Sequence, residues 1–131
     1  MNIVLDTQAL LVLYMGEKGA KGVSDILEQV LEGKTGGYMN VVNLAELYYI
    51  LARKSVKVAE EKEKNLRNYG VKIVPVEDGG LWKDAASLKA RHKMSLADAF
   101  AAATARKFGA TLVTGQDPDF DGIDGVRIER V

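Results

Sequence analysis

Apolar residues recur along this chain with two different spacings. Short runs of β-branched and apolar residues, bounded by glycine or polar residues, predict buried strands. These runs are residues 2–5, 38–42, 71–76 and 111–114, with a last edge strand at 126–129. Apolar positions that lie three and four residues apart predict helices instead. The helical segments are residues 9–15, 23–31, 44–51, 53–68, 81–88 and 95–108.

Strand and helical segments alternate through the chain, and this order is typical of a parallel sheet covered on both faces by helices. A length of 131 residues is enough for one hydrophobic core and too short for two. We therefore expect a single domain over residues 1–131, with the fold of a three-layer α/β/α sandwich around a mainly parallel sheet.

Composition narrows the classes of function. The chain has 18 basic and 18 acidic residues and no net charge, so any nucleic acid or membrane must be bound by a local patch. The absence of cysteine excludes disulfides, thiolate catalysis and cysteine-ligated zinc, and it favours a cytoplasmic protein. A single histidine, His92, argues against a catalytic triad and a histidine-rich metal site. Residues 35–52, the longest stretch with at most one charge, are too polar to span a bilayer.

Four long stretches of the chain each contain one charged residue, and each of these residues is acidic. They are Asp6 in residues 1–16, Glu46 in 35–52, Asp98 in 94–105 and Asp117 in 108–118. Each lies after a predicted strand or near the start of a predicted helix. Because the carboxyl ends of parallel strands and the starts of the following helices meet along one edge of a sheet, we expect these carboxylates to converge there.

Several carboxylates in apolar surroundings are costly to desolvate and repel one another, and a shared cation compensates for both effects. Oxygen ligands without cysteine or a histidine cluster favour a hard ion, Mg²⁺ or Mn²⁺, over zinc. Such an ion activates water and stabilises the attacking and leaving oxygens at phosphorus. The four acids therefore indicate hydrolysis of a phosphodiester.

Helix capping is the competing interpretation of the same acids. Asn43 with Glu46, and Ser95 with Asp98, have the spacing of capping boxes, in which the acid satisfies backbone N–H groups at a helix start. Asp117 precedes a proline and has the pattern of a turn or a helix cap. Asp6 ends an apolar strand and has no capping spacing, so it favours the metal interpretation.

Four segments of the chain resemble the PIN domain family, and within it the small VapC-type toxins of toxin–antitoxin pairs. They are IVLDT at residues 3–7, VNLAEL at 42–47, SLADAFAAATA at 95–105, and LVT at 112–114 followed by DPDF at 117–120. Their order and spacing cover nearly the whole chain. No one segment is specific alone, because many α/β proteins have an apolar strand that ends in aspartate. The four segments together are specific.

The resemblance implies a metal-dependent endoribonuclease that is usually a homodimer and is kept inactive by a small antitoxin whose tail occupies the active-site groove. By position, Mg²⁺ or Mn²⁺ would be held by Asp6, Glu46, Asp98 and Asp117. Thr114 would be the hydroxyl that orients an acid or a water molecule. Asp119 is a candidate for a fifth carboxylate.

The chain departs from the family pattern at two places. The family commonly has serine or asparagine two residues after its first acid, where this chain has Gln8. The last motif usually places its acid two residues after the threonine, whereas this chain has one residue more before Asp117. We expect Asp117 rather than Asp119 to be the fourth acid.

Substrate and activity stay open at the level of sequence. Arg91 and Lys93, before the helix at residue 95, are candidates for contact with RNA phosphates, although exposed basic residues need no function. The same metal chemistry would serve DNA, or a structured ribosomal or transfer RNA. The departures at Gln8 and before Asp117 keep a second function open, a non-catalytic PIN-fold module that binds or assembles. The four acids are compatible with one or two metal ions.

Overall fold

Strands and helices follow one another in the computed structural model, which describes residues 1–77 and 79–131. The strands are β1 (Asn2–Leu5), β2 (Gly36–Asn40), β3 (Lys72–Val74), β4 (Thr111–Thr114) and β5 (Arg127–Arg130). The helices are α1 (Thr7–Tyr14), α2 (Ala20–Leu31), α3 (Val41–Ala52), α4 (Val56–Tyr69), α5 (Gly79–Arg91) and α6 (Leu96–Phe108). A single 3₁₀ turn, Pro118–Phe120, follows β4.

The sheet has the strand order β3-β2-β1-β4-β5, and all four neighbouring pairs are parallel. Strand β1 is central, and its residue Val4 pairs with Tyr38 of β2 on one side and with Leu112 of β4 on the other. Parallel neighbours need crossover connections, and the helices supply them. The α/β sandwich with a parallel sheet, predicted from the alternation of segments, is confirmed.

Two hydrophobic cores lie on the two faces of the sheet. Successive residues of a strand point to opposite faces, so Leu5 packs with helices α1 to α4 while Val4 packs with α5 and α6. The same division separates Val113 from Leu112 in β4. A strand buried on both faces has no exposed positions that would need polar residues, which explains the continuous apolar run in residues 3–5.

The second strand and the helix after it begin earlier than the sequence pattern predicts. Residues 38–42 were expected as strand, but Asn40 ends β2 and caps α3, accepting a hydrogen bond of 2.8 Å from the backbone N–H of Val42. Gly36 belongs to the strand because it pairs with Asn2 of β1. The prediction that Asn43 caps this helix is therefore wrong, since Asn43 lies inside α3 and is buried.

The predicted ends of α6 agree with the structure, whereas α1, α2 and α5 begin earlier than predicted and α4 begins later, at Val56 after its N-cap Ser55. Ser95 caps α6 by accepting a hydrogen bond of 3.0 Å from the backbone N–H of Asp98. Gly109 ends the helix in the left-handed conformation, which glycine adopts without a steric penalty. Among the described residues, no helix combines the length and the apolar character that crossing a bilayer requires.

Candidate active site

The candidate site lies at the carboxyl edge of the sheet, where β1, β2 and β4 end side by side. Asp6 follows β1 and caps α1, and Asp117 follows β4 and caps the 3₁₀ turn. Asp98 lies in the first turn of α6, and Glu46 lies in the second turn of α3. The topology therefore brings the four acids, which are far apart in sequence, to one edge of the molecule.

A cleft of about 310 Å³ opens at this edge. Its lining residues are Thr7, Gln8, Leu11, Glu46, Ile50, Ser95, Asp98, Asp117 and Asp119. Four of these residues are acidic and none is lysine or arginine, so the cleft wall has a strongly negative character. A larger surface cleft, of about 440 Å³ between Gly109 and Arg127, has no acidic residue in its lining.

Three carboxylates of the cleft are close enough to share one ion. Asp98, Asp117 and Asp119 each offer an oxygen within 4.8 Å of the other two, and all three are half-buried. Asp117 also accepts a hydrogen bond of 2.9 Å from the backbone N–H of Asp119, which fixes the two acids relative to each other. Hard oxygen donors in this arrangement fit Mg²⁺ or Mn²⁺. Asp117 and Asp119 both lie close enough to Asp98 to share an ion, and the choice of Asp117 as the fourth acid stays a prediction.

Asp6 is 2% exposed and is not among the residues that line the cleft, whereas its neighbour Thr7 is. Its Oδ1 accepts a hydrogen bond of 2.9 Å from the backbone N–H of Ala9, and its Oδ2 accepts one of 2.5 Å from the hydroxyl of Thr114. Burial raises the pKa of Asp6 to about 6, and the negative charges of Asp98 and Glu46 add to the rise. The sequence analysis found no capping spacing at Asp6, but this residue is the N-cap of α1.

Burial also raises the pKa of Asp98, and the charges of Asp117 and Glu46 contribute to the rise. Asp98 thus feels the field of the other acids while its backbone is held by the Ser95 cap. Capping and a place in the cleft are therefore compatible at this residue. Glu46 has only the second of these roles, because it lines the cleft but lies too far along α3 to cap that helix.

Asn43 connects the three elements that carry Asp6, Glu46 and Asp98, and the sequence analysis missed this role. Its backbone oxygen accepts a hydrogen bond of 3.1 Å from the hydroxyl of Thr7, the residue after Asp6. Its side-chain amide donates to the backbone oxygen of Ala97, the residue before Asp98, also at 3.1 Å. The signal available in the sequence is an asparagine within an apolar helical segment, because such a side chain needs hydrogen-bond partners once the helix is buried.

The loop after β4 is held from two sides. The side-chain oxygen of Gln8 accepts a hydrogen bond of 3.3 Å from the backbone N–H of Asp117. On the other side, the guanidinium of Arg130 donates to the backbone oxygens of Gly115 and Asp117 at 3.0 and 2.7 Å. Gln8 therefore reaches the loop of the fourth acid. Arg130 was not singled out in the sequence, because it is one of two arginines in the polar segment 127–130 and nothing local distinguishes it from Arg127.

The two predicted contacts for RNA lie outside the cleft lining. Arg91 ends α5 and donates a hydrogen bond of 3.3 Å from Nε to the backbone oxygen of Ser87 in its own helix. Lys93 lies in the exposed turn that leads to Ser95, which does line the cleft. Both residues are exposed, so contact with a long substrate at the rim stays a prediction.

In a comparison with known families, the chain matches the model of the PIN domain over residues 3–126. No curated protein matches the chain. The match covers the four acids and the loop between Thr114 and Asp119.

Solved structures share the fold at low sequence identity. VapBC2 from Rickettsia felis, bound to a DNA fragment from its promoter, superimposes with a TM-score of 0.79 at 17% identity, covering 100% of this chain and 99% of that one. The sarcin-ricin loop cleaving toxin VapC20 from Mycobacterium tuberculosis gives 0.71 at 22% identity, with 95% and 98% covered. FitAcB from Neisseria gonorrhoeae gives 0.71 at 23% identity, with 96% and 95% covered.

Proposed function

This chain belongs to the PIN domain family, and on that premise we propose that it is a divalent-metal-dependent endoribonuclease that hydrolyses RNA phosphodiesters. The observation that carries the proposal is the cluster of Asp98, Asp117 and Asp119, whose oxygens lie within 4.8 Å of one another in a cleft without basic lining residues. Carboxylates at this separation repel one another unless a cation compensates.

The donor set fits Mg²⁺ or Mn²⁺. Glu46, Asp98 and Asp117 would hold the ion together with the buried Asp6, and Asp119 would be a fifth acid. When bound, the ion lowers the pKa of water and stabilises the negative charge that develops on the phosphodiester oxygens.

Thr114 has a separate part in the proposal. Its hydroxyl holds one oxygen of Asp6 by a hydrogen bond of 2.5 Å, while the backbone N–H of Ala9 holds the other. These two donors fix the direction of the Asp6 carboxylate and favour its ionised form. Thr114 is therefore a positioning residue, and it keeps Asp6 available as an anion near neutral pH.

RNA is the proposed substrate because the structurally similar VapC20 is described as cleaving the sarcin-ricin loop. We propose further that the chain is a toxin, that it forms a homodimer and that a small antitoxin blocks its cleft. The structures from Rickettsia felis and Salmonella typhimurium, which are VapBC complexes, support a protein partner. Co-expression with the neighbouring open reading frame, followed by light scattering, tests both assembly states.

The nuclease proposal is tested by incubating the purified protein with labelled RNA and Mn²⁺, with and without EDTA. We expect cleavage that EDTA abolishes and that Asp98→Asn reduces at least a hundredfold. Asp25→Asn is the matched control, because Asp25 is an exposed acid of α2 paired with Lys21 and lies outside the cleft lining.

Cleavage that survives both EDTA and Asp98→Asn would overturn the proposal. A protein that neither binds Mn²⁺ in calorimetry nor cleaves RNA would favour the alternative function, a non-catalytic PIN-fold module. Equal cleavage of single-stranded DNA under the same conditions would extend the substrate class without changing the metal chemistry.

A further inference from the structure

We propose that Arg130 is a positioning residue that holds the Asp117–Asp119 turn at the distance from Asp98 that metal binding requires. This inference rests on the proposed metal-dependent function. Arg130 ends the edge strand β5, directly beside Thr114 of β4, and it projects no group into the cleft lining. Its effect would therefore pass through the loop of residues 115–121, which carries Asp117 and Asp119.

The contacts of Arg130 converge on this loop. Nη1 donates to the backbone oxygen of Gly115 at 3.0 Å and to that of Asp117 at 2.7 Å, while Nη2 pairs with the carboxylate of Asp121 at 2.5 Å. One side chain thus binds the loop before, at and after its metal-binding acids. The planar guanidinium has the several donors that such a fork needs, whereas lysine is a point charge.

The two backbone contacts carry most of this effect. The side chain of Asp121 is 68% exposed and that of Arg130 is 28% exposed, so solvent screens the ion pair between them. The backbone oxygens of Gly115 and Asp117 instead lie where the chain leaves β4 and enters the 3₁₀ turn. Gln8 accepts a hydrogen bond from the N–H of Asp117 on the cleft side, and Arg130 donates one to the backbone oxygen of the same residue. The backbone of Asp117 is therefore held at both its N–H and its carbonyl group.

The sign of the effect on metal affinity separates positioning from charge. A guanidinium near an acid cluster repels a cation, so its removal by electrostatics alone would tighten metal binding. Loss of a partner that orients metal ligands instead weakens binding, typically by about 10-fold to 100-fold. The two roles therefore predict opposite outcomes for the same substitution.

The test is calorimetric titration of Mn²⁺ into the full chain and its variants. We expect Arg130→Gln to raise the Kd for Mn²⁺ about tenfold or more, and Arg130→Lys, which keeps the charge and loses the fork, to raise it several-fold. Arg127→Gln, which removes an exposed arginine from the same strand, and Asp121→Asn, which removes only the screened ion pair, should leave the Kd within about twofold of wild type.

Amide hydrogen exchange supplies a readout that needs no metal. Exchange in residues 115–121 should be faster in metal-free Arg130→Gln than in wild type and unchanged in Arg127→Gln. An unchanged or lower Kd in Arg130→Gln or Arg130→Lys, with wild type binding Mn²⁺, would overturn the positioning role alone. A wild-type chain that binds no Mn²⁺ would overturn the proposed function and, with it, this role.

Discussion

The hydroxyl of Thr114 donates a hydrogen bond of 2.5 Å to Asp6, a residue 108 positions earlier in the chain. The contact joins the carboxyl ends of β1 and β4, which are adjacent parallel strands. Asp6 is nearly inaccessible to water, so this donor replaces part of the hydration that the ionised carboxylate loses on folding. The protonation state of the buried acid therefore depends on a side chain from the other end of the sequence.

Thr114→Val removes this donor while keeping the shape of the side chain. We expect the pKa of Asp6 to rise further above 6, because the hydrogen bond lowers it in the wild-type protein. At pH 8 the free energy of unfolding should fall by about 2 kcal/mol, and the loss should shrink as Asp6 becomes protonated at lower pH. Carboxyl-carbon NMR titration and urea unfolding measure the two effects.

Thr111→Val is the control for that substitution, because Thr111 lies on the same strand and is only half-buried. It should leave the titration of Asp6 unchanged. An unaltered pKa of Asp6 in Thr114→Val would contradict the positioning of Asp6 by Thr114.

Asp6→Asn should make stability less dependent on pH in the absence of metal. The pKa of Asp6 is about 6 in the folded protein against 3.8 in a model compound, so the folded state binds this proton more tightly than the unfolded chain. Wild-type stability therefore falls as pH rises from about 4 to about 6. Asparagine does not titrate, so the variant should gain about 2.4 kcal/mol relative to wild type between pH 4 and pH 8.

Urea unfolding in EDTA at several pH values measures that gain, and Asp25→Asn at an exposed position should show no such trend. The same Asp6→Asn protein should have lost its nuclease activity. A stability difference from wild type that is constant with pH would show that Asp6 is not the buried titrating group.

Gly115→Ala should disturb the contact between Gln8 and the loop after β4. An added Cβ would lie 2.7 Å from Oε1 and 2.8 Å from Cδ and Cγ of Gln8, so the glutamine side chain must move. We expect a loss of about 1 kcal/mol in stability and weaker Mn²⁺ binding, because the N–H of Asp117 loses its acceptor. Differential scanning calorimetry and titration with Mn²⁺ measure these effects.

The double variant Gln8→Ala/Gly115→Ala should recover the stability but not the metal affinity, since it removes the clash and not the need for an acceptor. Gly22→Ala is the matched control, because its nearest atom, Cγ1 of Val131, lies 3.9 Å away and alanine favours the helix. Full recovery of metal affinity in the double variant would deny Gln8 its role at Asp117.

Metal binding should stabilise the folded chain through the aspartate cluster. At a Mn²⁺ concentration 100 times its Kd, we expect a gain of about 2.7 kcal/mol, visible as a rise in Tm. Asp117→Asn and Asp119→Asn should each reduce the gain, because both acids face Asp98 within 4.8 Å. A full shift in Asp119→Asn would leave Asp117 as the only acid of this turn that binds the metal.

Local patterns were sufficient for most of the fold. The apolar run at residues 3–5 and the alanine-rich segment ending at Gly109 predict β1 and α6, because burial and capping depend on residues close in sequence. The sequence pattern did not predict the start of β2, because glycines such as Gly36 and Gly37 usually interrupt a strand. Pairing with Asn2 and Ile3 makes them strand residues, and a pairing partner 34 positions away leaves no local signal.

The sequence by itself determined which carboxylates are candidates, since each of the four acids is a lone charge in a long uncharged stretch. Only the tertiary structure decided how they are held. Thr114 bonds to Asp6, Asn43 links the helices of Glu46 and Asp98, and Arg130 binds the turn of Asp117. The reason is physical: isolation of a charge is a local property of the chain, whereas a hydrogen bond between strand ends exists only after the sheet has brought distant residues together.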